Sequence, residues 1–184
     1  MTAKQLNVIV AACNNHGIGI DGKLPWRLKK DMAMFKMLTT KTNDENKQNA
    51  VIMGRKTWSS IPEKFRPLAN RVNIVLSTSM KDSPLGAHLT GNFEEAMRLI
   101  SDGDLSSVVE SVFIIGGSSV YSEAMKWPKC RVYLTRVLSD FHCDTFFPDI
   151  SDEIFKKTDN PEWLPDTPQQ DGDITFVYEV YDKL

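Results

Sequence analysis

Short apolar runs that are rich in β-branched residues recur along the chain and are separated by more polar segments. They occupy residues 6–12, 50–53, 71–77, 111–115 and 131–137. Nearly unbroken apolar runs of this length are typical of strands that are buried on both faces of a sheet. The final segment, ITFVYEVYDKL, instead alternates between apolar and polar positions, which predicts an added antiparallel strand.

Helical patterns lie between the apolar runs, at residues 27–39, directly after MGRK, in NFEEAMRLI and in SSVYSEAMK. In the third of these, Asn92 and Glu95 have the spacing of a helix-capping pair. The β-α-β-α-β order predicts an α/β fold, with a mainly parallel sheet and helices on both of its faces. The polar stretches 41–49 and 158–173 are predicted to be loops within a single domain that spans residues 1–184.

Composition limits the classes of function. With 41% hydrophobic and 25% charged residues, a chain of 184 residues is ordinary for one globular domain. The 22 basic and 24 acidic residues provide no broad cationic surface for nucleic acid or an anionic membrane. Only a short apolar run precedes NNHG, so we expect neither a secretory signal nor a membrane span, and a cytoplasmic location. The 3 cysteines and 3 histidines have spacings that favour neither a disulfide framework nor a metal site.

The loop after the first apolar run contains the pattern G-x-G-x-x-G, in Gly17, Gly19 and Gly22. A dinucleotide-binding fingerprint needs these glycines to open a helix directly. Here Asp21-Gly22 is a turn signal and Pro25 follows soon after. The pattern therefore does not favour a dinucleotide-binding turn.

The same loop carries an unusual apolar load in Ile18, Ile20, Leu24 and Trp26. A plain surface loop with glycines for positive φ is one interpretation. The other is a mobile flap that covers a cleft and excludes water from it.

Asp31 lies within the apolar arc of the first predicted helix. At about 100° per residue, that arc is formed by Leu28, Met32, Met34, Phe35 and Leu38. One interpretation is an acid in the first turn, which the helix dipole favours. The other is an ionisable group in an apolar cleft, which requires a charged or hydrogen-bonding partner.

Two strand-to-helix junctions have the residues expected of an anion site. Gly116-Gly117 precede a helix that begins at Ser118-Ser119, where free backbone N–H groups attract phosphate. A tight turn is the alternative role for the two glycines. Gly54 is followed by Arg55, Lys56 and Thr57, and cations at a helix N-terminus oppose its dipole unless an anion is bound.

Arg71 directly precedes an apolar run, in FRPLANR. It is either a solvated surface residue or a bidentate ligand for a carboxylate.

Taken together, these segments resemble the dihydrofolate reductase family over nearly the whole chain. The likeness is carried, in order, by IVAACNNHGIGIDGKLPW, the helix with Asp31 and Phe35, VIMGRKTWSSIPEKFRPLANRVNIVLS, FIIGGSSVY, LTRV, DTFFPDI and FVYEVYD. The tract SIPEKFRPL and the polar insertion at 41–49 are more similar to eukaryotic than to bacterial members. The resemblance implies a twisted sheet of about eight strands whose C-terminal strand is antiparallel.

The resemblance also implies an activity. This is the reduction of 7,8-dihydrofolate to 5,6,7,8-tetrahydrofolate, by hydride transfer from NADPH to C6 of the pterin and protonation at N5. The reaction supplies one-carbon metabolism and the synthesis of thymidylate and purines. The implied partners are dihydrofolate and antifolate inhibitors, and the implied protein is a cytoplasmic monomer without a metal.

The family's functional residues carry over to matching positions. Asp31 would bind the pterin, supported by Thr135 and a water near Trp26, while Arg71 would bind the glutamate α-carboxylate. The implied catalytic residues are Asp31, Trp26, Thr135 and Leu24. The implied substrate-binding residues are Ile9, Val10, Asp31, Met32, Phe35, Lys36, Ile61, Leu68, Arg71, Ile115 and Thr135. The implied NADPH-binding residues are Ala11, Gly17, Ile18, Gly19, Ile20, Asp21, Gly22, Lys23, Gly54, Arg55, Lys56, Thr57, Leu76, Ser77, Thr78, Gly116, Gly117, Ser118, Ser119, Val120 and Tyr121. The resemblance makes Gly116-Gly117 the family's strained pair, commonly joined by a cis peptide bond.

Three features of the sequence depart from the family's pattern. The acid is Asp31 where vertebrate members have Glu, and RLKK precedes it without their proline pair. Thr78 stands where many members have an arginine beside the adenosine 2′-phosphate, which transfers more of that contact to Arg55. Met32 and Met34 replace residues that are often aromatic, which makes the inhibitor pocket more deformable.

Two other functions remain open at this stage. One is a related reductase of the same fold that uses NADPH on a ribosylated pyrimidine. The other is a folate- or nucleotide-binding protein without turnover. Arg71 favours a folate carboxylate over the first, and the combination of Asp31, Trp26 and Thr135 argues against the second.

Overall fold

The computed structural model describes residues 4–184, so residues 1–3 of the predicted domain lie outside the described residues. The strands are β1 Leu6–Ala12, β2 Gly17–Gly19, β3 Gln48–Gly54, β4 Val72–Leu76, β5 Ala87–Thr90, β6 Val109–Gly116, β7 Cys130–Val137, β8 Thr145–Phe146, β9 Phe155–Thr158, β10 Gln169–Asp171 and β11 Ile174–Lys183. The α-helices are α1 Lys29–Thr40, α2 Arg55–Ser60, α3 Phe93–Ser101 and α4 Ser118–Met125. All five predicted apolar runs form strands of one sheet.

The main sheet has the order β10-β11-β7-β1-β6-β3-β4-β5, and β9 also pairs with β11. Because β7 occupies one edge of β11, β9 and β10 share the other edge, and the described sheet is eight strands wide. Neighbouring strands from β7 to β5 are parallel. β11 is antiparallel to β7, as the alternating C-terminal segment predicts.

Side chains of β1 show why the central strands are nearly continuous apolar runs. Val8 and Val10 enter the core cluster that contains residues of α3 and α4, while Ile9 packs in the cluster that contains Leu38 of α1. Successive residues of a strand point to opposite faces of the sheet. A strand that is covered on both faces is therefore apolar at its odd and its even positions.

The C-terminal polar stretch differs from its prediction as a loop. The end of β9 and the whole of β10 lie within 158–173, and residues 48–49 of the other polar stretch belong to β3. β9 and β10 are short edge strands held by backbone pairing to β11. Edge strands need no apolar run because one side of each remains in solvent, so the hydrophobic pattern does not reveal them.

The start of α3 follows local chemistry, and the burial of α1 follows its predicted apolar arc except at Met32. Asn92 Oδ1 accepts a 2.9 Å hydrogen bond from the Glu95 N–H, which confirms the predicted cap of α3. On α1, Met32 is 56% exposed although it lies in the predicted apolar arc, whereas Thr39 is fully buried. No helix in residues 4–184 has the length and apolar composition needed to cross a membrane.

Candidate active site

Asp31 lies in the first turn of α1, and its side chain reaches Thr135 on β7. Thr135 Oγ1 donates a 2.7 Å hydrogen bond to Asp31 Oδ1. Burial raises the pKa of the Asp31 carboxyl group, and the hydrogen bond from Thr135 partly opposes that rise. Within residues 4–184, Asp31 Oδ2 accepts no side-chain or loop hydrogen bond, so this oxygen can bind a ligand.

Two large buried side chains, Trp26 and Tyr178, pack in one apolar cluster, and Tyr178 is near enough to Asp31 to sense its charge. Trp26 is 6% exposed and belongs to the same apolar cluster as Tyr178 of β11. Tyr178 is in register with Thr135 across the β7–β11 pair. Burial, and to a smaller extent the charge of Asp31, raise the pKa of the Tyr178 phenol. Tyr178 was not among the residues predicted from the sequence, although the alternation of the final strand could have placed it on the inward face.

Several predicted substrate-binding residues meet in one place. Ile9, Ile61, Leu68 and Ile115 are partly buried side chains that pack on the apolar cluster that also contacts Leu38 of α1. They come from four separate segments of the chain. The structure therefore joins them into one apolar wall on the α1 face of the sheet.

Other predicted substrate-binding residues lie differently. The side chain of Val10 belongs to the core on the opposite face from Ile9, so only its backbone can border a ligand on the α1 face. On α1, Phe35 is half-buried, while Met32 and Lys36 are exposed. These three side chains of α1 therefore lie at the rim of the candidate substrate site and not in the hydrophobic core.

Arg71 is held at the C-terminal end of α1. Its Nη1 donates a 3.0 Å hydrogen bond to Thr39 Oγ1, and its Nε donates a 2.9 Å hydrogen bond to the Ala69 carbonyl. Burial lowers the pKa of its guanidinium group. In the described part of the chain no carboxylate forms an ion pair with Arg71, so its other N–H groups can bind an anion. The contribution of Thr39 was not predicted from the sequence.

The glycine-rich loop forms a hairpin, not the opening of a helix. Gly17–Gly19 form β2, which pairs with β8. Ile20 and Lys23 exchange two backbone hydrogen bonds of 2.9 Å, and Asp21 and Gly22 between them have φ values of 50° and 75°. Positive φ at both central residues is what a two-residue turn of this kind requires. The structure therefore agrees with the rejection of the dinucleotide fingerprint.

The hairpin turn is fixed to the rest of the molecule by Asp144. The N–H of Asp21 donates a 3.0 Å hydrogen bond to Asp144 Oδ2, and the Asp144 N–H donates a 2.9 Å hydrogen bond to the Gly19 carbonyl. The first of these bonds, with one from Thr145, lowers the pKa of Asp144. Ile18 and Ile20 are half-buried, but Leu24 is 58% exposed. The loop is thus anchored on one side and open on the other.

The two predicted phosphate-binding junctions lie against each other. A Cβ atom added to Gly54 would lie 3.8 Å from the Gly117 nitrogen, and one added to Gly116 would lie 3.1 Å from Thr57 Oγ1. Gly116 has a φ of 130°, and its peptide bond to Gly117 is cis, as the family resemblance implies. The absence of Cβ atoms here lets the two backbones approach closely.

The N-terminus of α4 is open for an anion. It has no side-chain cap, whereas α3 is capped by Asn92. Val120 and Tyr121 are buried, and the Tyr121 hydroxyl donates a 2.9 Å hydrogen bond to the Ile9 carbonyl, so these two residues offer a ligand mainly their backbone. Arg55 and Lys56 are exposed and form no ion pair within residues 4–184. Glycines without side chains, free N–H groups and unpaired cations fit the pyrophosphate of a dinucleotide.

Ser77 and Thr78 directly follow β4. They lie at the same C-terminal ends of the parallel strands as the two glycine-containing junctions after β3 and β6. Ser77 Oγ accepts hydrogen bonds of 3.2 Å and 3.1 Å from the N–H groups of Ser79 and Met80. Its hydroxyl proton can still be donated to a ligand. Thr78 is exposed and uncharged, so it can offer a phosphate one hydroxyl hydrogen bond but not the positive charge and forked donors of an arginine.

Comparison with known proteins identifies the family. The sequence model of the family described as dihydrofolate reductase matches residues 5–183. Over 189 residues, covering 100% of both chains, the protein is 46% identical to dihydrofolate reductase of Heliothis virescens. It is 46% identical to the Gallus gallus enzyme, with 98% of this chain and 97% of that one covered. The solved structure of Schistosoma mansoni dihydrofolate reductase matches with a TM-score of 0.87 and 43% identity, over 98% of this chain and 99% of that chain. The chain therefore belongs to the dihydrofolate reductase family and is an oxidoreductase enzyme.

Proposed function

We propose that the protein reduces 7,8-dihydrofolate to 5,6,7,8-tetrahydrofolate, with NADPH as the hydride donor. The observation that carries this proposal is Asp31, a half-buried carboxylate that is held by Thr135 through one oxygen and has the other free. It lies on the face of the sheet that also carries the apolar wall of Ile9, Ile61, Leu68 and Ile115. A flat, apolar ring with a polar N–H edge is the kind of ligand that this arrangement fits.

Asp31 binds and polarises the pterin. Its two oxygens can accept hydrogen bonds from the amidine-like N–H edge, because Thr135 orients the carboxylate by donating to Oδ1. Burial makes the ionised carboxylate less stable without a partner, as its raised pKa indicates. A substrate that carries a proton on its ring system relieves that instability. Asp31 thereby favours the protonated form of the substrate, which accepts hydride more readily.

The proton itself reaches N5 through water. A carboxylate that binds the amidine edge does not lie beside N5, so Asp31 acts through the substrate and not by direct transfer. Trp26 holds the wall of the site next to this region, because it is buried in the same cluster as Tyr178. The exposed side chain of Leu24 lies on the loop that can admit or exclude that water.

The remainder of the substrate extends toward Arg71. The apolar wall suits the aminobenzoyl ring, and the half-buried guanidinium suits the α-carboxylate of the glutamate. Thr39 and the Ala69 carbonyl orient the guanidinium through two hydrogen bonds, so little side-chain freedom is lost when the carboxylate binds. A bidentate pair of this kind contributes both affinity and orientation.

The cofactor site follows from the two phosphate-binding junctions. When bound, NADPH supplies the hydride. The glycines at 54 and 116–117 leave room for its backbone contacts, and the N-terminus of α4 offers N–H groups to the pyrophosphate. Because Thr78 is uncharged, Arg55 carries more of the contact with the 2′-phosphate than in relatives with an arginine there. Ala11 and the segment 17–23 border the nicotinamide, with the hairpin as its cover.

We extend the proposal to the setting of the reaction. The product supplies one-carbon metabolism and the synthesis of thymidylate and purines. The protein acts as a cytoplasmic monomer, and antifolate inhibitors occupy the site of dihydrofolate.

A spectrophotometric assay tests the proposed function. Mixing the protein with NADPH and dihydrofolate should lower the absorbance at 340 nm, while omission of either compound should leave it unchanged. A ribosylated pyrimidine in place of dihydrofolate separates this activity from that of a related reductase. Oxidation of NADPH with the pyrimidine alone would overturn the proposal. Tight binding of both compounds without any loss of absorbance would show a binding protein instead.

A further inference from the structure

A second cavity lies on the same face of the sheet as the candidate active site, but toward the other end of the strands. Its volume is about 470 Å³, and Asn7, Phe113 and Tyr133 are among the residues that line it. Asn7 precedes Ile9 on β1, and Tyr133 precedes Thr135 on β7, each by two positions. Residues two positions apart on a strand share a face. The cavity and the candidate active site therefore lie over one continuous surface, and they are separate spaces because neither Asp31 nor Arg71 lines the cavity.

Helix α1 lies between the two spaces. Met37, Leu38 and Lys41 line the cavity. At 3.6 residues per turn, Met37 points about 160° away from Phe35, on the other flank of the helix, and Lys41 directly follows α1 as its C-cap residue. Leu38 contacts both sides, since it also packs on the apolar cluster of the candidate active site. A ligand in the cavity would thus press on the helix that carries Asp31.

The walls of the cavity are aromatic and apolar on one side. Trp163 is 42% exposed and lies over Tyr133, with their ring centroids 6.1 Å apart and an interplanar angle of 40°. Phe113 and Leu38 continue this surface. A cavity of this volume accommodates a small organic molecule, and flat rings pack well against tilted aromatic side chains.

The rim of the cavity is cationic. Lys41 lines it and forms no ion pair within residues 4–184. Lys4 also lines it, with its Nζ donating a 3.1 Å hydrogen bond to the Val109 carbonyl. The acidic residue at the rim, Glu110, already accepts hydrogen bonds of 2.8–3.0 Å from the N–H groups of Asn43 and Asp44. Glu110 keeps its negative charge, but both of its oxygens are occupied by these backbone groups. The ammonium group of Lys41 forms no ion pair within residues 4–184, so it can contact an anionic group of a ligand.

We propose that this cavity binds a small bicyclic aromatic carboxylate, with its rings against Trp163 and Tyr133 and its carboxylate on Lys41. We infer also that binding changes the affinity for dihydrofolate through α1, a part that depends on the proposed function. Asn49 connects the two sites, because its Nδ2 donates hydrogen bonds of 3.1 Å and 2.9 Å to the carbonyls of Thr39 and Lys41. Thr39 is the residue that orients the guanidinium of the substrate site.

Binding can be measured by NMR with 2-naphthoate as the probe. NADPH and folate are present in excess, so that the candidate active site is filled. The indole N–H signal of Trp163, assigned by its loss in Trp163→Phe, should shift and saturate. Lys41→Glu should weaken binding by about five-fold or more, as should the replacement of the probe by uncharged 2-naphthamide. Lys29→Glu, the same substitution at the first residue of α1 and outside the cavity, should leave binding unchanged.

Several results would overturn the site. These are the absence of a saturable shift at Trp163, equal binding to the Lys41→Glu and unmutated proteins, and equal binding of the amide. The melting temperatures of Lys41→Glu and Lys29→Glu should match that of the unmutated protein, because both lysines are exposed. The NMR measurement does not use turnover. It therefore decides whether the cavity binds 2-naphthoate even if the proposed function is wrong.

The coupling has its own readout. Saturating 2-naphthoate should change the KM for dihydrofolate by about five-fold and leave the KM for NADPH unchanged. The effect should disappear in Lys41→Glu. An effect that persists in Lys41→Glu would show competition at the active site, and saturable binding without a change in KM would refute the coupling alone.

Discussion

Replacement of Asp31 by asparagine removes the charge of the candidate active site while keeping its shape. Asparagine can still accept the hydrogen bond from Thr135, which is 2.7 Å long in the unmutated protein. The variant loses the ionic character of the contacts with the pterin edge. Hydrogen bonds to a charged group contribute about 1.5–3 kcal/mol each, so two of them correspond to about 3–6 kcal/mol. We therefore expect turnover near neutral pH to fall by roughly 10²- to 10⁴-fold.

The assay is the decrease in absorbance at 340 nm under single-turnover and steady-state conditions, with NADPH affinity measured separately by fluorescence. NADPH should bind the variant as before, because Asp31 is not among the residues assigned to the cofactor. The rate should recover in part as the pH is lowered, since substrate protonated in solution no longer needs the carboxylate. Unchanged turnover near neutral pH, or an equal loss at every pH, would refute this account of Asp31.

The thermal stability of Asp31→Asn is a control for its folding, because we expect stability to rise where turnover falls. Burial raises the pKa of Asp31 in the folded protein above its unfolded value. Such a carboxyl group destabilises the folded state at neutral pH, and the penalty is relieved as the pH falls through the folded-state pKa. Asp31→Asn should accordingly raise the melting temperature of the ligand-free protein at pH 7, and raise it less at acid pH. A melting temperature that fell close to the assay temperature would mean that activity was lost through unfolding.

The remaining predictions concern the substrate and cofactor contacts. Arg71→Lys should weaken dihydrofolate binding by about 1.5–3 kcal/mol, through loss of a forked, charge-assisted pair; calorimetry measures this, and equal affinity of the unmutated protein for folate and its pterin fragment would contradict the pair. Arg55→Ala should weaken NADPH more than NADH, as measured by the KM values of both cofactors, and parallel losses would place the 2′-phosphate elsewhere. Gly116→Ala should destabilise the protein by about 1–3 kcal/mol and weaken NADPH, because its φ is 130° and the new Cβ would lie 3.1 Å from Thr57 Oγ1; an unchanged urea midpoint would argue against this.

Local pattern was enough to locate the central strands and the helices between them. Strands such as β3 are covered on both faces and must be apolar at their odd and their even positions. That requirement is visible in a short window of sequence. Asn92 and Glu95 likewise act within one turn, so the start of α3 could be predicted from their spacing. Edge strands β9 and β10 left no such mark, because they are held by backbone pairing to a distant strand.

For the candidate site, the sequence pointed to the charged residues and, through the family resemblance, to Thr135 as a partner of Asp31, but not to the other side chains that hold them. Asp31 and Arg71 stand out because a charge in an apolar arc or before a buried strand is unusual. Thr39, Asp144 and Tyr178 are unremarkable in sequence, and each matters through a partner far along the chain.

The amino-acid sequence alone was sufficient for the fold class, the family resemblance and the residues that carry charge. It could not show that Met32 remains exposed, that Val10 faces away from Ile9's cluster, or that α1 separates two spaces. The physical reason is the distance along the chain between the interacting residues. The burial pattern and helix capping depend on neighbours within a turn or a strand. Hydrogen bonds such as that between Thr135 and Asp31 depend on which distant segments the packed sheet brings together.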